Sequence, residues 1–139
     1  MEFLLSLHGH LRWLVAAAVV AAFVAAVVAL RTQRWSTTRV WLVRSVPILL
    51  TLQLLLGAVL IVWRGNDLEW DMAALRIQLE HAVTMLVAVG LSHMLPRMLR
   101  TSDARRSAAR AAIVLGAIGI LIFVGVVRIR GIGYWFSAG

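Results

Sequence analysis

The chain contains no cysteine, and all 14 of its basic residues are arginine. The absence of cysteine excludes disulfides, thiolate zinc sites and cysteine-ligated iron–sulfur clusters. The sequence also lacks a P-loop, a glycine-rich dinucleotide fingerprint and a recognisable catalytic triad. Nucleotide-dependent and triad-based enzyme chemistry therefore have no support in this sequence.

Apolar residues make up 62% of the 139 residues, and the mean hydropathy is +0.90. They are concentrated in four runs, at about residues 3–30, 40–63, 72–95 and 111–127. Each run is near the roughly 20 residues that an α-helix needs to cross a bilayer. The sequence therefore predicts one transmembrane domain over residues 1–139. Because Glu2 is the first charge, the start lacks the basic region of a signal peptide, and we expect the first helix to be retained.

The connections between the runs are short, at residues 31–39, 64–71 and 97–110. Short connections force consecutive helices to run antiparallel. The predicted fold class is therefore all-α, an integral membrane four-helix bundle with up-down-up-down topology.

The formal net charge of +8 is carried by arginines that flank the apolar runs, which indicates membrane orientation and not nucleic-acid binding. The first and third connections and their edges hold nine: Arg31, Arg34, Arg39, Arg44, Arg97, Arg100, Arg105, Arg106 and Arg110. The opposite side holds five: Arg12, Arg64, Arg76, Arg128 and Arg130. This excess predicts cytoplasmic first and third connections and extracytoplasmic termini. Arg128 and Arg130, beside the carboxyl terminus, count against that orientation.

Aromatic residues lie near the ends of the runs, as expected of anchors at membrane interfaces. They are Trp13, Trp35, Trp41, Trp63, Trp70, Tyr134 and Trp135. Anchoring explains most of them without any further role.

Ionisable residues at membrane depth usually face the bundle interior or a pathway. At 1.5 Å per residue, His8 and His10 lie about 8 and 11 Å past Phe3, and His81 lies about 13 Å past Met72. Imidazole is a common ligand of metals and of haem iron, and a bundle core can hold a cofactor. His93 lies about 18 Å beyond His81, with no second histidine at that depth. The sequence therefore supplies one bis-histidine site, on the outer side, and His93 is better explained as interfacial.

The neighbouring residues leave alternatives open. Arg12 follows His8 by four residues on the same helix face, and Arg76 precedes His81 on the outer part of its helix; both could pair with haem propionates. Arg76 could instead pair with Glu80, four residues away. His8 could simply contact water or lipid headgroups, and His81 could be a helix-packing residue.

Small and polar residues inside the runs favour close helix packing. Gly116 and Gly119 lie on the fourth helix with Gly125 beyond, and Gln53 and Gly57 share one face of the second. Small residues allow the close approach of helices or of a flat cofactor, and helix packing is the better explanation. We expect Gln53 to hydrogen-bond to another helix.

Short motifs over nearly the whole chain resemble a family of small four-helix bacterial membrane proteins of the cytochrome b type. They are His8-Gly9-His10-Leu11-Arg12-Trp13, the Gln-Leu-Leu-Leu-Gly stretch at 53–57, and Glu80-His81 with Met85 following. His8 occupies the family's first histidine position and His10 is additional, although helix depth slightly favours His10.

The resemblance implies a bacterial inner-membrane protein that binds one b-type haem through His8 and His81. It implies one-electron transfer, with other membrane redox subunits or a quinol as partners beside the lipid bilayer. A homo-oligomer is also compatible with the sequence. We expect an electron-transfer protein or subunit in preference to a stand-alone enzyme. The alternative is a non-catalytic accessory subunit of a respiratory or photosynthetic complex, where the histidines could approach chlorophyll-type pigments.

Overall fold

The structure, a computed structural model, describes residues 2–101 and 103–131. These residues form α1 (Glu2–Thr32), α2 (Thr37–Asp67), α3 (Met72–Ser92), the short α4 (Leu95–Met98) and α5 (Ala104–Arg130), and the described ranges contain no strand. Four helical stretches are long and apolar enough to cross a membrane: α1, α2, α3 continued through α4, and α5. The all-helical prediction is confirmed. Tyr134 and Trp135 lie outside the described residues.

Side chains at the helix starts accept hydrogen bonds from backbone amides that would otherwise lack partners. Ser36 accepts from the Arg39 amide before α2, and Asp71 accepts from the Ala73 amide before α3. Such caps stabilise a helix end by about 1 kcal/mol. They fix where α2 and α3 begin.

The fourth long helix is longer than the apolar run at residues 111–127. It begins at Ala104 and continues to Arg130, so half of the predicted connection at residues 97–110 is helical. Asp103 caps this start by accepting from the Arg106 amide at 3.0 Å. Alanine and arginine, the commonest residues of this first part, are among the best helix formers. Another part of the connection forms α4, where Pro96 occupies an early position that tolerates proline.

The packing places α1 against α2 and α5, and α3 against the same two helices. Therefore α1 and α3 occupy opposite corners of a four-helix arrangement. The short connections make successive long helices run in opposite directions. One end of the bundle, here called the histidine end, thus combines the amino-terminal parts of α1 and α3 with the carboxyl-terminal parts of α2 and α5.

Small and branched apolar residues fill the interior, where Ala22, Ala26, Val43, Leu115 and Ile118 are almost fully buried. Gly116 faces the Phe23 ring and Gly119 faces Val19, as expected if small residues bring α1 and α5 together. Apolar side chains also cover the exterior, including Phe3, Val20, Ile48, Leu55, Val83, Leu86, Ile113 and Ile120. An exterior this apolar is unusual for a protein surrounded by water.

Trp35 and Trp70, which the sequence predicts to be interfacial anchors, have partners within the protein. The indole N–H of Trp35, in the α1–α2 connection, donates to the Ser107 hydroxyl of α5 at 2.8 Å. The indole N–H of Trp70 donates to Asn66 at 3.1 Å, and its ring lies against Gly65. Both therefore hold connections against helices, in addition to any contact with an interface.

Candidate functional site

His8 on α1 and His81 on α3 both lie at the histidine end, on helices at opposite corners of the bundle. Both side chains are half-buried, and they are close enough to interact electrostatically. Arg12, one turn after His8, interacts electrostatically with both imidazoles. The structure therefore places near each other the two histidines that the motif resemblance pairs, although helix depth slightly favoured His10.

A backbone carbonyl of α5 orients His81. Its Nδ1 lies 3.0 Å from the carbonyl oxygen of Gly125. Because a carbonyl oxygen can only accept, this nitrogen carries the hydrogen and Nε2 keeps its lone pair. A hydrogen bond of this kind at Nδ1 commonly fixes the tautomer of a metal-binding histidine. His81 is therefore arranged to offer Nε2 as a ligand.

Gly125 also provides the space that the His81 ring occupies. A Cβ atom at this position would lie 3.2 Å from His81 Nδ1 and 2.7 Å from the methyl carbon of Met85. A larger residue would displace the ring or the methionine. Glycine thus allows the close approach of α3 and α5 at this level.

His8 has a similar glycine on the helix beside it. A Cβ atom on Gly57 of α2 would lie 3.2 Å from His8 Cε1. One turn earlier on α2, Gln53 donates from Nε2 to the backbone carbonyl of His8 at 2.9 Å, so the predicted bond to another helix is confirmed. His8 Nδ1 and Gln53 Oε1 are both buried and have no hydrogen-bond partner among the described residues. The site thus holds unsatisfied polar atoms beside the His8 ring.

The other two histidines lie on the surface. His10 is exposed, and its Nδ1 is 2.7 Å from the Ser6 carbonyl oxygen of its own helix. His93 is exposed at the end of α3, where Nε2 lies 3.0 Å from the Thr51 hydroxyl. Of the two histidines near the start of α1, the one facing His81 is therefore His8.

The two predicted propionate partners lie in different surroundings. Arg12 is half-buried, 5.6 Å from the centre of the Trp13 ring and near both histidines. Arg76 is exposed, and its Nε lies 2.9 Å from Glu80 Oε1. The structure thus has the ion pair that the sequence offered as the alternative role of Arg76.

Three features of this region were not predicted from the sequence. They are the Gly125 carbonyl that orients His81, the space at Gly57 for His8, and the contact of Arg128 Nε with Glu80 Oε2 at 2.7 Å. Their only sequence signal is a glycine or an arginine within an apolar helix. Each depends on the relative positions of two helices, which no local pattern specifies.

The donor set is suited to a cofactor that brings most of the iron ligands itself. Among the described residues, no group of three or more His, Asp or Glu side chains could hold a metal ion. Two imidazoles alone leave the coordination of a bare ion incomplete. Haem would bring its own ring nitrogens, so that His8 and His81 could supply the remaining iron ligands. The unsatisfied Nδ1 of His8 and the unprotonated Nε2 of His81 are compatible with that group.

The described chain is thus an all-helical protein with four helices able to cross a membrane and with a histidine pair facing inward from opposite helices. Comparisons with protein-family models, with curated proteins and with solved structures found no match.

Proposed function

We propose that this chain is a multi-pass protein of the bacterial inner membrane that binds one b-type haem through His8 and His81 and transfers single electrons. The observation that supports this most is the meeting of these two histidines from opposite corners of the bundle. Each ring lies against a glycine of a neighbouring helix. The resemblance of the three short motifs to cytochrome b-type proteins supports the same ligand pair.

The chain's own residues would hold and orient the group. The Gly125 carbonyl holds the His81 ring with Nε2 unprotonated, and Gln53 holds the backbone of α1 at His8. Arg12 lies near both imidazoles and would be the arginine to pair with a propionate, and Arg76 forms an ion pair with Glu80. When bound, haem would supply an iron that alternates between ferric and ferrous states.

Both rings are partly buried, which limits their contact with solvent. Met85 lies close to Gly125 beside His81. In surroundings of low polarity, each charge close to the iron has a larger effect on its potential than it would in water. Arg12 would accordingly favour the reduced, less positive state of the iron.

The arginine distribution supports an orientation with the histidine end outside the cytoplasm. Nine of the 14 arginines lie in or beside the first and third connections. In this orientation both termini are extracytoplasmic. Electrons would be exchanged at the outer side, between a quinol or a membrane redox subunit and an extracytoplasmic carrier.

Haem content measured across four single variants tests the ligand assignment. Wild-type protein purified in mild detergent should contain one haem per chain by the pyridine haemochrome assay. His8→Ala and His81→Ala should lose it, whereas the matched controls His10→Ala and His93→Ala should keep it. Haem that persists in His8→Ala but disappears in His10→Ala would refute the assignment of His8.

A further inference from the structure

Glu80 joins two arginines on the outer surface of the histidine end. Its Oε1 lies 2.9 Å from Arg76 Nε on α3, and its Oε2 lies 2.7 Å from Arg128 Nε on α5. One carboxylate between two guanidinium groups leaves a net charge of +1. Both contacts use Nε, so each guanidinium keeps further N–H donors on its terminal nitrogens.

A shallow groove, open to the surroundings and lined by residues of α3 alone, lies beside these charges. It has a volume of about 490 Å³ and is lined by Met72, Arg76, Leu79, Glu80, Val83 and Thr84. The Thr84 hydroxyl donates to the Glu80 carbonyl at 2.8 Å, which satisfies that polar group within the helix. In the groove, Arg76 and Glu80 follow Met72 from the end of the bundle, Leu79 lies level with Glu80, and Val83 lies nearly one turn deeper.

We propose that this groove binds one anionic phospholipid. The lipid phosphate contacts Arg76 and Arg128, and an acyl chain lies along Leu79 and Val83. A lipid has its phosphate near the membrane surface and its acyl chains deeper, and the groove follows this arrangement. At 1.5 Å per residue, Arg76 is about 6 Å past the start of α3, and Val83 is about 10 Å deeper. This proposal rests on the membrane location but is independent of haem binding.

The net charge determines the class of lipid. Arginine pairs well with phosphate oxygens, and a basic residue near a membrane surface contributes about 1 kcal/mol to the binding of anionic lipid. A zwitterionic headgroup adds a cation that the two arginines repel. A neutral quinol would gain nothing from the excess positive charge. Glu80 holds the guanidinium groups side by side without neutralising both.

Native mass spectrometry of the full-length protein in detergent tests this proposal. Phosphatidylglycerol and phosphatidylcholine with identical acyl chains are titrated separately, and the affinity for the first lipid should be higher. Arg76→Gln and Arg128→Gln should each weaken phosphatidylglycerol binding about fivefold, the equivalent of one basic contact. Arg100→Gln, an exposed arginine at the other end of the bundle, is the matched control and should leave binding unchanged.

Two further variants separate lipid binding from a purely structural ion triad. Glu80→Gln removes the negative charge and should keep or strengthen phosphatidylglycerol binding. If the three charges only join α3 to α5, the same variant should instead weaken phosphatidylglycerol binding. Val83→Trp, at a residue that is 63% exposed, should fill the groove and weaken binding with the charges intact.

Arg76 has a side chain that is 73% exposed, so Arg76→Gln should fold even if Arg128→Gln does not. Equal affinity for the two lipids, or equal losses in Arg76→Gln and Arg100→Gln, would overturn the proposal.

Discussion

Gln53 on α2 donates a hydrogen bond from Nε2 to the backbone carbonyl oxygen of His8 on α1, at 2.9 Å. Its side chain is only 9% exposed, and its Oε1 has no partner among the described residues. A buried glutamine that makes one bond to another helix fixes the relative position of the two backbones. Here the fixed position is that of His8.

Replacing Gln53 by leucine should weaken the contact of α1 with α2 beside His8. A net hydrogen bond is worth about 1 kcal/mol, so the midpoint of thermal unfolding should fall slightly and the haem affinity should fall with it. Gln78→Leu is a matched control, because the buried Oε1 of Gln78 also lacks a partner among the described residues. That replacement should be neutral or mildly stabilising. Equal effects of the two replacements would show that the bond to His8 has no special role.

Alanine at Gly57 or Gly125 should displace a histidine ring. The new Cβ would lie 3.2 Å from His8 Cε1 in the first case and 3.2 Å from His81 Nδ1 in the second. Forcing extra atoms into a packed site typically costs about 1–3 kcal/mol, so both variants should unfold at lower temperature and bind less haem.

Gly116→Ala is the control for both glycine variants. Its Cβ would meet Phe23 at an ordinary 3.6 Å. Because alanine favours a helix over glycine by about 1 kcal/mol, this variant should be unchanged or more stable. If all three alanine variants unfolded at higher temperature, the two glycines beside the histidines would have no steric role.

The sequence predicts the histidine pair but not what orients it. Rise per residue shows only that His8, His10 and His81 lie at compatible depth, and the short motifs select His8. Gly125 is recognisable as a small residue of the fourth helix, but its contact with His81 depends on how α3 and α5 are placed against each other. The contact of Arg128 with Glu80 could not be predicted for the same reason, because Arg128 lies on α5. The pair of Arg76 with Glu80 could be predicted, because both residues lie four apart on one helix.

An apolar run marks the part of a helix that could lie in lipid, but the helix itself can extend beyond that run. The fourth run begins at Ala111, but α5 begins at Ala104. The intervening turns contain Arg105, Arg106 and Arg110, which interrupt hydrophobicity without interrupting helical structure. The capping role of Asp103 was the available signal for the true start.

Asp103 should make the stability of the α5 start depend on pH. The hydrogen bond from the Arg106 amide lowers the pKa of the Asp103 carboxyl below its ordinary value. A lowered folded-state pKa means that the cap stabilises the helix above the unfolded-state pKa, and that this contribution is lost as pH falls through the folded-state value. An asparagine side chain at this position would cap the helix without titrating, so wild type should lose more stability in acid than Asp103→Asn. A difference in unfolding midpoint between the two proteins that stays constant with pH would contradict this role.

Reporter fusions test the proposed orientation. A reporter active only outside the cytoplasm should work when fused to the carboxyl terminus and fail when inserted into the connection at residues 99–103. A cytoplasmic reporter should show the reverse pattern, because the arginines beside that connection favour retention in the cytoplasm. A cytoplasmic carboxyl terminus would invert the protein and move the histidine end to the inner face.

The absorption spectrum of the detergent-extracted protein, recorded before and after reduction, tests the central claim most directly. A haem held by His8 and His81 predicts a low-spin, six-coordinate spectrum with a Soret band that shifts on reduction and a sharp α band in the reduced form. Protein produced with sufficient haem and still folded, yet colourless and unable to take up added haem, would contradict the claim.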